Sequence, residues 1–188
     1  EYGIEARDDV LAKGWAYALV GTYDIQADNG ADLRKGVIGL TCGGKTRKPS
    51  DWGVLAAWSW GLSRALDYFQ SNPAIDPKRI GIEGHSRWGK TALLSAALDS
   101  RWAIVFTSCS GEGGTKLSRR NWGEAVDNLA SDSEYHWMAG NFLKYGGAWN
   151  AMPVDAHELI ALVAPRPAFI TGGTTDQWPD PRGEFMAC

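Results

Sequence analysis

Ser86 stands in the run Gly84-His85-Ser86-Arg87-Trp88-Gly89, where "RIGIEGH" (79–85) gives way to the Ala/Leu-rich residues 87–98. A serine on a strand-to-helix turn can act as a nucleophile. The turn projects its Oγ, and the helix start offers free N–H groups to a developing oxyanion. Hydrolases mark this turn with Gly-x-Ser-x-Gly. Here the second glycine comes one place late, at Gly89. Gly84 supplies the residue without Cβ that a sharp turn needs. The competing reading is a plain N-cap serine, which needs no catalysis. Lys90 lies four residues after Ser86, on the same helix face. With Arg87 it forms a pair of cations suited to an acyl group flanked by hydroxyls or a carboxylate, or else two solvated helix charges.

The elements that must position these groups follow from periodicity. "GWAYALV" (14–20) reads as a buried strand, and residues 22–52 as a long Gly- and Asp-rich connection of the kind that is often functional. Leu55, Trp58, Leu62, Leu66 and Phe69 recur at steps of three and four, which predicts an amphipathic helix over 52–72 with Asp51 as its N-cap. "RIGIEGH" (79–85), "WAIVFTSCS" (102–110) and "PAFITGG" (167–173) read as strands. Residues 87–98 and 155–164 read as helices, and 119–145 as irregular or helical, rich in Trp and acids. Strands and helices alternate, and the strands are nearly continuously apolar. Both features argue for a parallel α/β sheet. Functional residues then gather at the strands' carboxyl ends. The serine turn, the "SGEGG" loop after 108 and the "TTDQWPDP" loop after 173 all fall there.

Composition limits the function classes. The chain has 188 residues and a net charge of −3, without a basic stripe for nucleic acid. No run of about 18 apolar residues suggests a transmembrane helix. Cys42, Cys109 and Cys188 lack metal-site spacing. Ten tryptophans against five phenylalanines favour either sugar stacking or an indole-rich core.

The motif "GHSRWGKTAL" resembles the serine segment of bacterial glucuronoyl esterases, the fifteenth carbohydrate esterase family. So do "YDIQAD" (23–28), "GVLAAWSWGLSRALDYF" (53–69), "SCSGEGGTKLSRRNWGE" (108–124), "LIALVAPRPAFI" (159–170) and "DQWPDP" (176–181). The resemblance implies an α/β-hydrolase fold, a three-layer sandwich around a mostly parallel sheet. It implies a secreted or periplasmic serine esterase without cofactor or metal. Its substrate would be the ester between 4-O-methyl-glucuronic acid of glucuronoxylan and lignin alcohols. By the same resemblance Ser86 is the nucleophile, Arg87 the oxyanion-supporting arginine, and Lys90, Glu124 and Trp178 the sugar-binding residues. Trp137 either faces the cleft or fills the core. The same-fold alternative is an acetyl xylan esterase; the alternative of another class is a glucuronoxylan-binding module without turnover.

Two departures shape the expectations. Many family members carry the triad acid directly before Ser-Gly of the "SGxGG" segment, where this chain has Cys109. Asp176, after the last predicted strand, is the favoured replacement, because a strand end fixes a carboxylate better than a Gly-rich loop does. Glu112 is the second candidate and Asp180 a weaker third. In the order Ser, acid, His, the base comes last, and no histidine follows Asp176. His85 adjoins the nucleophile, His136 precedes the acid, and His157 reads as structural. The expectation is therefore a single partial catalytic domain over 1–188, cut at both ends, with its base beyond Cys188 and little activity alone.

Overall fold

The computed structural model describes residues 4–188, with side chains from residue 7 onward. Three parallel strands form one sheet in the order β1 (Gly81–His85), β2 (Ile104–Ser108), β3 (Ala168–Thr171). Ile82 pairs with Val105, and Phe106 with Phe169. Parallel neighbours need crossover connections. Helix α5 (Arg87–Leu98) lies between β1 and β2, and α7 (Ala156–Ala161) precedes β3. α5 packs on β1 and β2, and α4 (Val54–Ser71) packs on α5. Their apolar faces close a core of Leu66, Ile82, Leu93, Ala96, Trp102 and Val105. Successive side chains of a strand point to opposite faces, and here the two faces differ. Ile82 and Val105 are buried, whereas Glu83 and Phe169 are exposed. The near-continuous burial expected of these strands is thus met only on one face of β1 and β2, and β3 has no buried residue.

A second core places the loops over the sheet's carboxyl end. It joins Val54, Leu55 and Trp58 of α4 to Ile38, Leu129 and Trp137. The 22–52 connection is partly helical, with α2 (Thr22–Ile25) and α3 (Gly36–Thr41) within it. Buried Gln26 fastens it: its carbonyl accepts the Trp58 indole N–H at 2.7 Å, and its Oε1 accepts the Ile38 N–H at 3.0 Å. Arg47 donates to the carbonyls of Trp52 and Met138, each at 2.7 Å, and so ties this loop to the segment that carries His136 and Trp137. Near the ends lie α1 (Ile4–Ala12) and α8 (Pro181–Ala187), and α6 (Val126–Leu129) sits in the Trp-rich stretch.

Two local expectations fail. Residues 15–20 form no strand, and Trp15 and Leu19 are exposed. An apolar run becomes a strand only where a neighbour completes its ladder, and no described strand lies beside it. Asp51 does not cap α4, whose N-cap is Gly53. Its carboxylate accepts the Lys48 N–H at 2.6 Å instead, closing the preceding turn.

The β1–α5 elbow depends on close backbone approach. A Cβ on Gly84 would sit 2.1 Å from the Trp88 carbonyl oxygen. Gly84→Ala should therefore destabilise the fold by about 1–3 kcal/mol, the usual cost of overpacking a fixed contact. Chemical denaturation checks this, and an unchanged midpoint would show that the elbow has slack.

Candidate active site

The backbone of Ser86 does not fit the plain N-cap reading. Its φ of 56° and ψ of −125° lie outside the β-region of an ordinary N-cap, and its side chain makes no capping hydrogen bond. A non-glycine residue held there costs about 1–3 kcal/mol and persists only where its surroundings enforce it. The enforcement is visible: the Ser86 N–H donates to the Ser108 carbonyl at 2.8 Å, extending the β1–β2 ladder into the turn. Gly89 accounts for the displaced motif. A Cβ there would lie 3.0 Å from both the Ser108 carbonyl and Thr107 Oγ1, so this is where α5 passes closest to β2. Gly89 rather than residue 88 performs the packing role of the second glycine, which leaves position 88 free for a tryptophan.

Lys90 is not a solvated helix charge. It is 1% exposed, and its Nζ donates to Glu124 Oε2 and to the Ser110 carbonyl, both at 2.6 Å. Glu124, also buried, accepts the Glu112 N–H at 2.9 Å on the same oxygen. The Glu124 N–H in turn donates to the Trp178 carbonyl at 2.7 Å. The Gly-rich loop, the helix and the loop after β3 are thereby joined at one ion pair. Removing either partner would strand a buried charge. Trp178 is exposed on its loop, as a side chain available to a ligand must be.

Arg87 is held from the other side. Its Nη1 donates to Asp28 Oδ2 at 2.6 Å, and its guanidinium lies 4.8 Å above the Trp137 ring. Asp28 Oδ1 accepts the Trp137 indole N–H at 2.6 Å and pairs with His136 Nε2 at 2.9 Å. Burial alone would raise the Asp28 pKa, but the bonds from His136, Trp137 and Arg87 outweigh it and hold the carboxyl at about 2. Trp137 is a buried member of the second core, and its ring also lies against Arg87 and 5.7 Å from Lys90 Nζ. Glu134 also faces this group. Burial, then the charge of Glu124, push its carboxyl pKa up, against the pull of Lys90, Arg87 and His136.

A serine forced onto a strained elbow, beside a buried Lys–Glu pair and a tethered arginine, can now be compared with known proteins. The family model described as glucuronyl esterase, fungi, matches residues 46–188. The chain belongs to the glucuronoyl esterase family. A carbohydrate esterase from an unidentified prokaryote is 41% identical over 96% of this chain and 42% of its own length. A glucuronoyl esterase from Teredinibacter turnerae superposes with a TM-score of 0.93 at 50% identity, covering 96% of this chain and 44% of that one. A mutant glucuronoyl esterase from Sporotrichum thermophile, in complex with methyl 4-O-methyl-β-D-glucopyranuronate, superposes with a TM-score of 0.76 at 26% identity, covering 89% of this chain and 47% of that one. The chain thus spans less than half the length of these relatives, and the sheet with its helices is that part of their α/β-hydrolase fold.

Against the family pattern, the candidate acids separate clearly. Glu112 is fully buried, and both of its oxygens are taken: Lys116 Nζ donates to Oε2 at 2.9 Å and Ser118 Oγ donates to Oε1. Asp176 is exposed in the loop that follows β3, five residues past Thr171 rather than at the strand end, and its Oδ1 accepts the Trp178 N–H at 3.2 Å. Asp180 is buried under Arg120, whose Nε donates to both carboxylate oxygens at 3.0 and 2.7 Å. Cys109 has a left-handed φ of 47°, and its N–H donates to the Thr171 carbonyl at 2.8 Å. Of the histidines, His85 lies on β1 with Nδ1 3.4 Å from Ser108 Oγ, and His136 is committed to Asp28. His157 is an exposed residue of α7 rather than a core one.

Sequence reasoning missed Asp28, Glu134 and Glu184 as parts of this region. Glu184, buried on α8, accepts the Gly111 N–H at 3.0 Å and the Thr115 hydroxyl at 2.8 Å, and so fixes the Gly-rich loop from below. Glu134 and Glu184 look like surface acids in sequence, because no local pattern reveals a partner dozens of residues away. Asp28 was within reach, since it closes the family-like "YDIQAD" segment.

The strain at Ser86 is open to direct measurement. Glycine adopts φ near 56° without a Cβ penalty. Ser86→Gly should therefore raise stability by up to about 1 kcal/mol, while Ser86→Ala should not. Equal denaturation midpoints for the two variants would mean that the elbow stores no strain.

Proposed function

We propose that the protein containing this chain is a secreted or periplasmic serine esterase. It hydrolyses the ester between 4-O-methyl-glucuronic acid of glucuronoxylan and lignin alcohols. The observation that carries this reading is the strained Ser86 elbow set beside the buried Lys90–Glu124 pair. The elbow supplies a nucleophile, and the pair supplies hydroxyl-binding groups that acetyl removal would not need. The ligand of the Sporotrichum thermophile complex, a methyl ester of 4-O-methyl-glucuronic acid, has the matching chemistry.

The steps follow from the placement of the groups. Ser86 Oγ attacks the uronate ester carbonyl and gives its proton to a histidine base. The carbonyl oxygen becomes an oxyanion beside the first N–H groups of α5 and the Arg87 guanidinium. The C–O bond to the alcohol breaks, and the base returns its proton to the leaving oxygen. Water then attacks the acyl-enzyme and releases the uronate. Lys90 and Glu124 hold the sugar hydroxyls, and Trp178 stacks on the ring from its exposed loop. Asp176 orients the base, a role supported by its open carboxylate in the loop after β3 and by the complete commitment of Glu112 to Lys116 and Ser118.

Two measurements on the whole protein test this. Glu124→Gln, which keeps an acceptor beside Lys90 Nζ, should lower kcat/KM on benzyl glucuronate by about 10-fold or more, because a buried charge-assisted contact is worth about 1.5–3 kcal/mol, and should change hydrolysis of a simple acetyl ester much less. Equal losses on both substrates would make Glu124 a structural residue and favour an acetyl esterase. Asp176→Asn should cut kcat heavily by favouring the wrong tautomer of the base while leaving thermal stability near normal. Glu112→Gln should do the opposite, lowering stability through its stranded Lys116 partner. The reverse ranking would move the acid to the Gly-rich loop.

A further inference from the structure

We infer that Asp28 is a positioning residue for the reaction, one that sets the geometry of Arg87 and Trp137 together; this rests on the reading of Ser86 and Arg87 as the acyl-transfer site. Asp28 lies just beyond α2, far in sequence from both groups it holds. Its side chain is 10% exposed, against 37% for Arg87. A half-exposed arginine left alone would sample many rotamers, at a cost of about 2 kcal/mol to fix one. Asp28 fixes it beforehand. Its Oδ2 takes Arg87 Nη1 at 2.6 Å, and its Oδ1 takes the Trp137 indole N–H at 2.6 Å. The ring thus oriented lies 4.8 Å beneath the guanidinium and 5.7 Å from Lys90 Nζ.

Three features make the arrangement more than an incidental ion pair. Among the described residues the guanidinium bonds through Nη1 alone, so its remaining donors stay available to a substrate oxygen. His136 Nε2, on the same Oδ1 at 2.9 Å, adds a third donor and leaves the carboxylate no freedom to turn. Trp137 serves both sides of the site. One carboxylate therefore couples the group that meets the oxyanion to the floor under the sugar-binding lysine. It touches neither the reacting atoms nor the sugar. Its effect passes through Arg87 and Trp137.

The test is a double-mutant cycle in the whole protein with benzyl glucuronate as substrate. Asp28→Asn should lower kcat by about 10- to 100-fold, the range expected when a reacting-site group is misplaced by an ångström, with KM changed much less. In an Arg87→Ala background the same substitution should cost several-fold less, because only the part that passes through Trp137 remains. Equal losses in both backgrounds would make Asp28 a general structural residue and overturn the inference. A readout without turnover separates this from failure of the esterase reading. In nitrogen-15 NMR spectra, Asp28→Asn should collapse the resolved Arg87 guanidinium signals toward those of a free arginine and shift the Trp137 indole N–H. Unchanged signals would refute the positioning role, whatever the substrate. Loss of these signals' dispersion in a protein inactive on glucuronate esters would uphold it and reject the function.

Discussion

The backbone of Ser86 is the constraint on which the region depends. A φ of 56° and ψ of −125° are unfavourable for any residue with a Cβ. The neighbouring structure is arranged to enforce them. The parallel β1–β2 pairing runs up to His85 and Ser108, and the Ser86 N–H takes the next carbonyl. Gly84 lets the Trp88 backbone approach to a distance that any side chain would block, and Gly89 lets β2 approach to one that a side chain would crowd. The same geometry starts α5 directly after the serine, so Arg87, Lys90 and the first helical N–H groups take their places as a consequence of the turn.

Around this elbow the protein buries charge, which stabilises only where partners are complete. Lys116–Glu112 is a fully enclosed pair, Lys90–Glu124 is a buried pair that keeps a small exposed edge, and Asp180 and Asp155 lie beneath Arg120 and Arg119. Backbone N–H groups take part: Gly111 and Glu112 donate to Glu184 and Glu124. The Gly-rich loop is therefore held by its main chain as much as by its side chains. Trp178 is tied through its carbonyl while its indole stays exposed.

Much of the framework is legible in the sequence, for identifiable reasons. The helix over 87–98 and the strands near 79–85 and 102–110 follow from periodicity and β-branched content, and the structure places them with small changes at their ends. The run 14–20 was misread because apolar composition says nothing about whether a pairing partner lies alongside. Asp51 misleads because an aspartate that bonds backbone N–H groups of a turn looks, in sequence, like an N-cap. The chemistry divides in the same way. Ser86 was locally ambiguous, and only a dihedral angle separates a nucleophile turn from a cap. Lys90 and Glu124 lie 34 residues apart and Asp28 and Arg87 lie 59 apart, so their pairing belongs to the tertiary structure. Family likeness could name some of these residues, but it could not show that Asp28 joins them.

The most direct test of the account is chemical: where does the acyl group go? The whole protein, mixed with an activated ester of glucuronic acid and quenched in acid within a turnover, can be digested and its peptides weighed. The account predicts a glucuronoyl adduct on the peptide containing Ser86, with fragmentation placing it on that serine. An adduct on Cys109, or none despite measurable turnover, would contradict it.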